Sequence, residues 1–175
     1  MSDASSILRG RVAAVLGPNI DTDIIYPGRY LNITDREKTA EHLFELAYPE
    51  IRPKLQPGDF IVAAANFGCG SSREQAAAAL KFSGCGAVIA ASFARIFYRN
   101  AINLGLPAIV SPAAHLECGE GDDLEIDLAG GLIRNLSRNL SIAAAPLDPR
   151  AIELIRAGGL IPYLKAKYAS APAAS

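Results

Sequence analysis

The chain's chemistry concentrates in Asn66-Phe67-Gly68-Cys69-Gly70-Ser71-Ser72-Arg73-Glu74-Gln75, where glycines, two hydroxyls and a guanidinium follow a short apolar run. Glycine lets the backbone approach a ligand closely, and the first free amides of a following helix point outward. The helix dipole adds about half a positive charge at that end. Arg73 supplies a planar fork matched to a carboxylate. Together these make an anion-binding design. A serine hydroxyl is too weak an acid to act as a base unaided, but an alkoxide at Ser71 would be stabilised by the same amides and cation.

Two other uses of these residues stay open. Ser71 or Ser72 could cap the helix, with Glu74 or Gln75 closing a capping box, the commoner role for such serines. A cradle for nucleotide phosphates is the second. It fits poorly, because the Walker pattern needs a lysine before its Ser or Thr, and Ser71-Ser72-Arg73 stands here instead. The cysteines, Cys69, Cys85 and Cys118, are odd in number and lack a C-x-x-C pair, which argues against a disulfide framework and against a self-contained zinc or iron-sulfur site.

The elements that must position this motif are legible from apolar runs and punctuation. Residues 9–15 read as a strand, and Gly17-Pro18-Asn19 supplies a turn before a second short strand or loop at 21–25. After an irregular stretch at 29–35, the spacing of Ala40, Leu43, Phe44 and Ala47 predicts a helix over 39–47. Residues 60–64 form an apolar run expected of a strand buried on both faces. A helix follows, with Ala76, Ala79 and Leu80 on one side and Gly84 at its end. The unit then repeats: a strand at 87–91, Ser92 as a candidate cap, a helix through Ile96, Ile102 and Leu104, Gly105, and a strand at 108–110. Strand and helix in alternation imply a parallel sheet.

The remainder differs in kind. Residues 124–128 alternate apolar with acidic, Ala129-Gly130-Gly131 turns, and 140–144 offers another strand, together suggesting an antiparallel layer. Asp148 and Pro149 announce a last helix, closed by Gly158-Gly159, and 169–175 reads as a frayed tail. The expectation is one three-layer α/β domain spanning 1–175.

Whole-chain properties narrow the partners. Half of the 175 residues are hydrophobic, and 17 basic residues balance 18 acidic ones in an interspersed pattern, leaving no electrostatic footprint for nucleic acid or an anionic membrane. No apolar run reaches the roughly 18 residues of a membrane span, and residues 1–11 lack the features of a signal peptide, so a cytoplasmic protein is expected.

Three segments in order carry a family resemblance: Gly17-Pro18-Asn19-Ile20-Asp21-Thr22-Asp23-Ile24-Ile25-Tyr26-Pro27-Gly28-Arg29-Tyr30-Leu31, then residues 66–75, then Ala91-Ser92-Phe93-Ala94-Arg95-Ile96-Phe97-Tyr98-Arg99-Asn100. Over about residues 9–163 the chain resembles the small subunits of the aconitase superfamily. The resemblance implies a β/β/α swivelling domain with a parallel central sheet and an outer antiparallel layer. It also implies a hydro-lyase that is active only with a large subunit bearing a [4Fe-4S] cluster, with no cofactor or metal held by this chain. In that family the serine matching Ser71 is the catalytic base that takes a proton from carbon, and those matching Ser72 and Arg73 hold a substrate carboxylate. Asp23 matches an active-site carboxylate, and could equally be a turn former accepting backbone amides. Arg95 and Arg99 read as solvated or interfacial.

Substrate choice falls on the loop Tyr30-Leu31-Asn32-Ile33-Thr34, which in family members lies over the variable side group. An arginine there would suit the extra carboxylate of citrate or homocitrate, and an apolar residue the isopropyl group of isopropylmalate. Asn32 is neither, but a neutral amide beside Ile33 favours an alkyl-substituted malate. The expected reaction interconverts 2-isopropylmalate and 3-isopropylmalate by loss and re-addition of water. Homocitrate and methyl-substituted malates remain as alternatives, and a non-catalytic anion- or nucleotide-binding module as one of another class.

Overall fold

The computed structural model describes residues 6–169, and the expected tail lies, from residue 170 on, outside the described residues. Its centre is strand β1, Ile7–Leu16. The second half of β1 runs parallel to β2, Phe60–Ala63, with Val12 opposite Phe60 and Leu16 opposite Ala63. The first half runs antiparallel to β5, Asp123–Asp127, with Ile7 opposite Asp127. A register shift between Val12 and Ala14 marks the change of partner, where a bulge sharpens the local twist.

Outward from β2 lie β3, Ala87–Ala90, and β4, Ala108–Val110, both parallel. Outward from β5 lie β6, Leu132–Asn135, and β7, Leu140–Ala143, both antiparallel, giving the order β4-β3-β2-β1-β5-β6-β7. All residues of β2 and β3 are buried, as their unbroken apolar runs require of strands covered on both faces. In β5 only Leu124 and Ile126 are buried, with Asp123, Glu125 and Asp127 turned outward. That alternation marks a layer with one wet face.

Two cores separate three layers. Ile61, Ala63, Val88 and Ala90 face a helical layer that buries Leu80, Phe97 and Ala101. Val12, Phe60, Val62 and Ile89 face the inner side of the antiparallel half, meeting Leu124, Ile126, Ile133 and Ile142. The expected β/β/α layering is therefore present. Burying each such Val, Leu, Ile or Phe is worth roughly 1.5–3 kcal/mol relative to exposure.

The helices adjust the expectation in several places. Residues 21–25 are not a strand: Asp21 Oδ1 accepts from the amides of Asp23 and Ile24 at 2.9 and 2.8 Å and caps a single turn, α1, Thr22–Ile25. A 3-10 turn, Gly28–Tyr30, follows. The helix predicted over 39–47 is α2, Arg36–Glu41, capped by Asp35. It ends early because Phe44 takes a φ of 56°. There its ring is fully buried and its amide donates to Ile25 O at 2.9 Å, and this gain outweighs continuing the helix. After the one-turn α3, Ile51–Lys54, come α4, Glu74–Phe82, and α5, Arg95–Asn103. Neither serine expected at their caps is used so: Arg73 and Ala94 hold the cap positions without a side-chain bond. Beyond the short α6, Ala114–Glu117, helix α7, Pro149–Ala157, starts on Asp148 and stops at Gly158 with φ 84°. A further helix absent from the sequence reading, α8, Leu160–Ala169, follows the two glycines. Pro162 sits in its first turn, where a missing N–H costs nothing.

Candidate active site

Three loops leave the carboxyl ends of β1, β2 and β3 and are stitched together by continued parallel pairing. Gly68 N donates to Ile20 O at 2.7 Å, Thr22 N to Cys69 O at 2.8 Å, and Phe67 N to Ser92 O at 3.0 Å. Ser92, free of a cap role, accepts from the amide of Asn66 at 2.8 Å. The glycines have local reasons. Gly68 takes φ 78° and packs against the Phe97 ring, where any Cβ would collide. Gly70 takes φ 91° beside Asp21 and Thr22.

This stitching forms a cleft of about 350 Å³ lined by Thr22, Ser71, Ser72, Arg73, Arg95 and Asn100, with Gly68, Gly70, Ala94, Ile96 and Phe97. It lies where open parallel sheets place ligands, outside the carboxyl ends of the strands. Thr22 is buried, and its hydroxyl donates to Ser71 O at 2.9 Å, fixing the backbone of the serine pair. The hydroxyls of Ser71 and Ser72 are exposed into the cleft. Neither bonds to another group among the described residues. The first turn of α5, uncapped by a side chain, lines the cleft with Arg95, Ile96 and Phe97, and Arg73 at the cap of α4 lines it too, so two guanidinia share the cleft with the hydroxyls.

Arg73 is held, not free. Its Nη1 donates to Asp23 Oδ1 at 2.5 Å, and the same oxygen accepts from Gly28 N at 2.8 Å. The Arg73 hydrogen bond, followed by the Gly28 amide, holds the Asp23 carboxyl below its ordinary value. The guanidinium lies against Gly28, where a Cβ would come within 3.1 Å of it. Asp23 and Asp21 thus have different work: Asp21 caps α1, and Asp23 aims Arg73.

The substrate loop named from sequence sits beside this cleft and does not line it. Tyr30 turns inward, its hydroxyl donating to Glu45 Oε1 at 2.9 Å and its ring stacked on His42 at 3.6 Å. Leu31 and Asn32 are exposed, and Gln75 Nε2 reaches Leu31 O at 3.5 Å. Conversely, Arg95, Ile96 and Asn100 line the cleft, although Arg95 reads as a solvated residue in the sequence. The signal was available: the first turn after any strand of a parallel sheet converges on the same edge.

Among the described residues no three His, Cys, Asp or Glu side chains converge as metal ligands. Cys85 and Cys118 are buried and Cys69 is half-buried. Burial pushes the Cys85 thiol up to about 12, far from the thiolate a metal needs. These residues do not fit an iron-sulfur cluster. No helix among the described residues is long and apolar enough to cross a membrane.

Comparison with known proteins agrees with this geometry. Residues 14–113 match the family described as the aconitase C-terminal domain. The chain is 54% identical over 153 residues to a 3-isopropylmalate dehydratase small subunit of Wolinella succinogenes, covering 87% of this chain and 91% of that one. It is 49% identical to a methanogen homoaconitase small subunit of Methanothermobacter thermautotrophicus, covering 91% and 92%. A crystal structure of a 3-isopropylmalate dehydratase from Methanocaldococcus jannaschii superposes with a TM-score of 0.84 at 45% identity, over 93% of this chain and 96% of that one. Fold, cleft and sequence agree, and the chain belongs to the aconitase C-terminal domain family.

Proposed function

We propose that this chain is the small subunit of a 3-isopropylmalate dehydratase, interconverting 2- and 3-isopropylmalate by elimination and re-addition of water in leucine biosynthesis. The observation that carries the reading is the serine pair: two unbonded hydroxyls in one cleft with Arg73, Arg95 and the open first turn of α5. Ser71 Oγ serves as the base that takes the proton from the carbon next to a carboxylate. The amides and cations around it lower the cost of the oxyanion it must become. Ser72 and Arg73 bind that carboxylate, and Asp23 holds Arg73 in position through the bond at 2.5 Å. Ser71 returns its proton when water adds back.

A small subunit implies a large one, and the partner brings the other wall of the site. A [4Fe-4S] cluster would be held by that partner and would supply Lewis acidity toward the departing hydroxyl. The assembly is a heterodimer or a multiple of it in the cytoplasm. Substrate choice rests with Leu31 and Asn32 on the exposed loop, which offer an alkyl group apolar surface and no cation for a third carboxylate.

The homoaconitase relative, at 49% identity, supports homocitrate as the second reading. Turnover assays of the subunit pair, reconstituted with its cluster-bearing large subunit, on isopropylmalate, homocitrate and dimethylmalate separate them. Activity on isopropylmalate above the others is expected, and no activity on it removes the assignment. A non-catalytic anion-binding module fails if any of the three is turned over.

A further inference from the structure

The cleft contains a second guanidinium that nothing in this chain engages. Arg95 lines it at the first position of α5, in the same lining as Ser71 and Ser72. It makes no hydrogen bond, ion pair or ring contact among the described residues. Its site gives it no local support either. The first turn of α5 has no acidic residue, and no side chain caps it, so the cation adds to the positive end of the helix dipole. None of the residues lining the cleft is a carboxylate. Arg73, in contrast, is already neutralised by Asp23. Asn100 lines the same wall, half-buried and with its amide unbonded among the described residues.

We propose that Arg95 is a substrate-binding residue, which pairs with the second carboxylate of the dicarboxylate while Ser72 and Arg73 take the first. This rests on the reading of the cleft as a hydroxy-dicarboxylate site and extends it. A malate unit carries two carboxylates, and this chain's wall of the pocket, with only the Asp23-bound Arg73, would present no net positive charge to them. Arg95 supplies it, with a fork suited to bidentate pairing. An exposed arginine held against a helix dipole also binds an anion at a gain, since the anion relieves that repulsion. Because every substrate in question shares the malate unit, Arg95 acts on all of them and does not choose between them.

The test uses small subunits carrying Arg95→Gln and Arg95→Lys, each reconstituted with the large subunit. Subunit affinity is expected to stay unchanged, and KM for isopropylmalate to rise roughly 10- to 100-fold in Arg95→Gln, with a much smaller change in kcat. Arg95→Lys recovers part of the loss, because the charge remains and the fork does not. A competitive dicarboxylate inhibitor and its monoamide provide a second readout. The wild-type complex prefers the dicarboxylate, and Arg95→Gln loses most of that preference. An unchanged KM and inhibitor preference overturn the proposal while leaving the proposed function intact. Weakened subunit association with normal KM at saturating partner also overturns it, and places Arg95 in the interface. If the wild-type complex turns over none of isopropylmalate, homocitrate and dimethylmalate, the function and this inference fall together.

Discussion

Asp23 Oδ1 and Arg73 Nη1, fifty positions apart in the chain, meet at 2.5 Å, with the Gly28 amide on the same carboxylate oxygen. One carboxylate thereby fixes both a guanidinium at the start of α4 and the entry to the 3-10 turn. Its pH dependence follows from the direction of its shift. The Arg73 bond lowers the Asp23 value below its ordinary 3.8, so the pair's contribution is present at neutral pH and lost as pH falls through the folded value. Asp23 is mostly exposed, and screening limits the contribution to under about 1 kcal/mol. Asp23→Asn is expected to be slightly less stable than wild type at pH 7, with the two converging in acid below the ordinary carboxylate range. Denaturant melts at a series of pH values check this, and a gap that widens in acid contradicts it.

Ser71→Ala removes the proposed base with little packing, since the side chain is exposed in the cleft. Turnover of the reconstituted complex should fall by at least about a thousandfold, the scale on which general-base and nucleophile deletions act. Denaturation midpoint and subunit affinity should stay at wild-type values. Near-normal turnover takes the base role from Ser71.

Gly28→Ala tests the bed on which Arg73 rests. The new Cβ meets the guanidinium at 3.1 Å, closer than ordinary contact, and Arg73 must shift from Asp23 or from the cleft. KM should rise several-fold while stability changes by less than about 0.5 kcal/mol, as for most exposed substitutions. A wild-type KM shows that the guanidinium tolerates the shift.

Gly68→Ala is a different kind of change. At φ 78° the alanine is strained, and its Cβ collides with the Phe97 ring in a packed cluster. A loss of roughly 2–4 kcal/mol is expected from overpacking plus a left-handed backbone. Urea unfolding measures it. A loss below 1 kcal/mol, on the scale of an ordinary exposed change, means the turn can relax away from Phe97.

Thiol labelling of the folded chain should find Cys69 first. Cys85 is 4% exposed with its thiol pushed up to about 12, Cys118 is 6% exposed and also raised by burial, and Cys69 is half-buried between the cleft-lining Gly68 and Gly70. Rates for Cys85 and Cys118 should match global unfolding. Prompt labelling of Cys85 would show that its strand end opens locally.

How far the sequence revealed this arrangement depended on whether local signals agreed with tertiary ones. The parallel strands were visible because Phe60–Ala63 and Ala87–Ala90 are apolar without interruption, and only two covered faces make that sensible. Helix α7 was visible because Asp148 and Pro149 mark its start and Gly158 its end, each acting locally. The reading failed where a distant partner decided. Phe44 has helical spacing with Ala40 and Leu43, yet its amide bonds to Ile25 and ends α2. Ser71 and Glu74 have capping-box spacing, yet Thr22 holds Ser71 O, and the cap of α4 falls two residues later, on Arg73. That Ser71, Ser72 and Arg73 line one cleft was legible because one turn carries all three. Tyr30 faced Glu45 and His42 for reasons no local spacing contained, and Arg95 joined the cleft through the sheet's topology.

Strand β1 gives half its length to parallel pairing and half to antiparallel pairing, with the bulge between Val12 and Ala14 as the joint. Neither half can lose its edge to the other without breaking the same ten residues. Circular permutants measure what this means. New termini at 129–131 interrupt one hairpin and should leave a foldable protein, whereas new termini within β1 divide the two hydrogen-bonding patterns and should not. In hydrogen exchange the β1 amides should open only with the whole molecule, so the loops of the cleft can move on a base that gives way last.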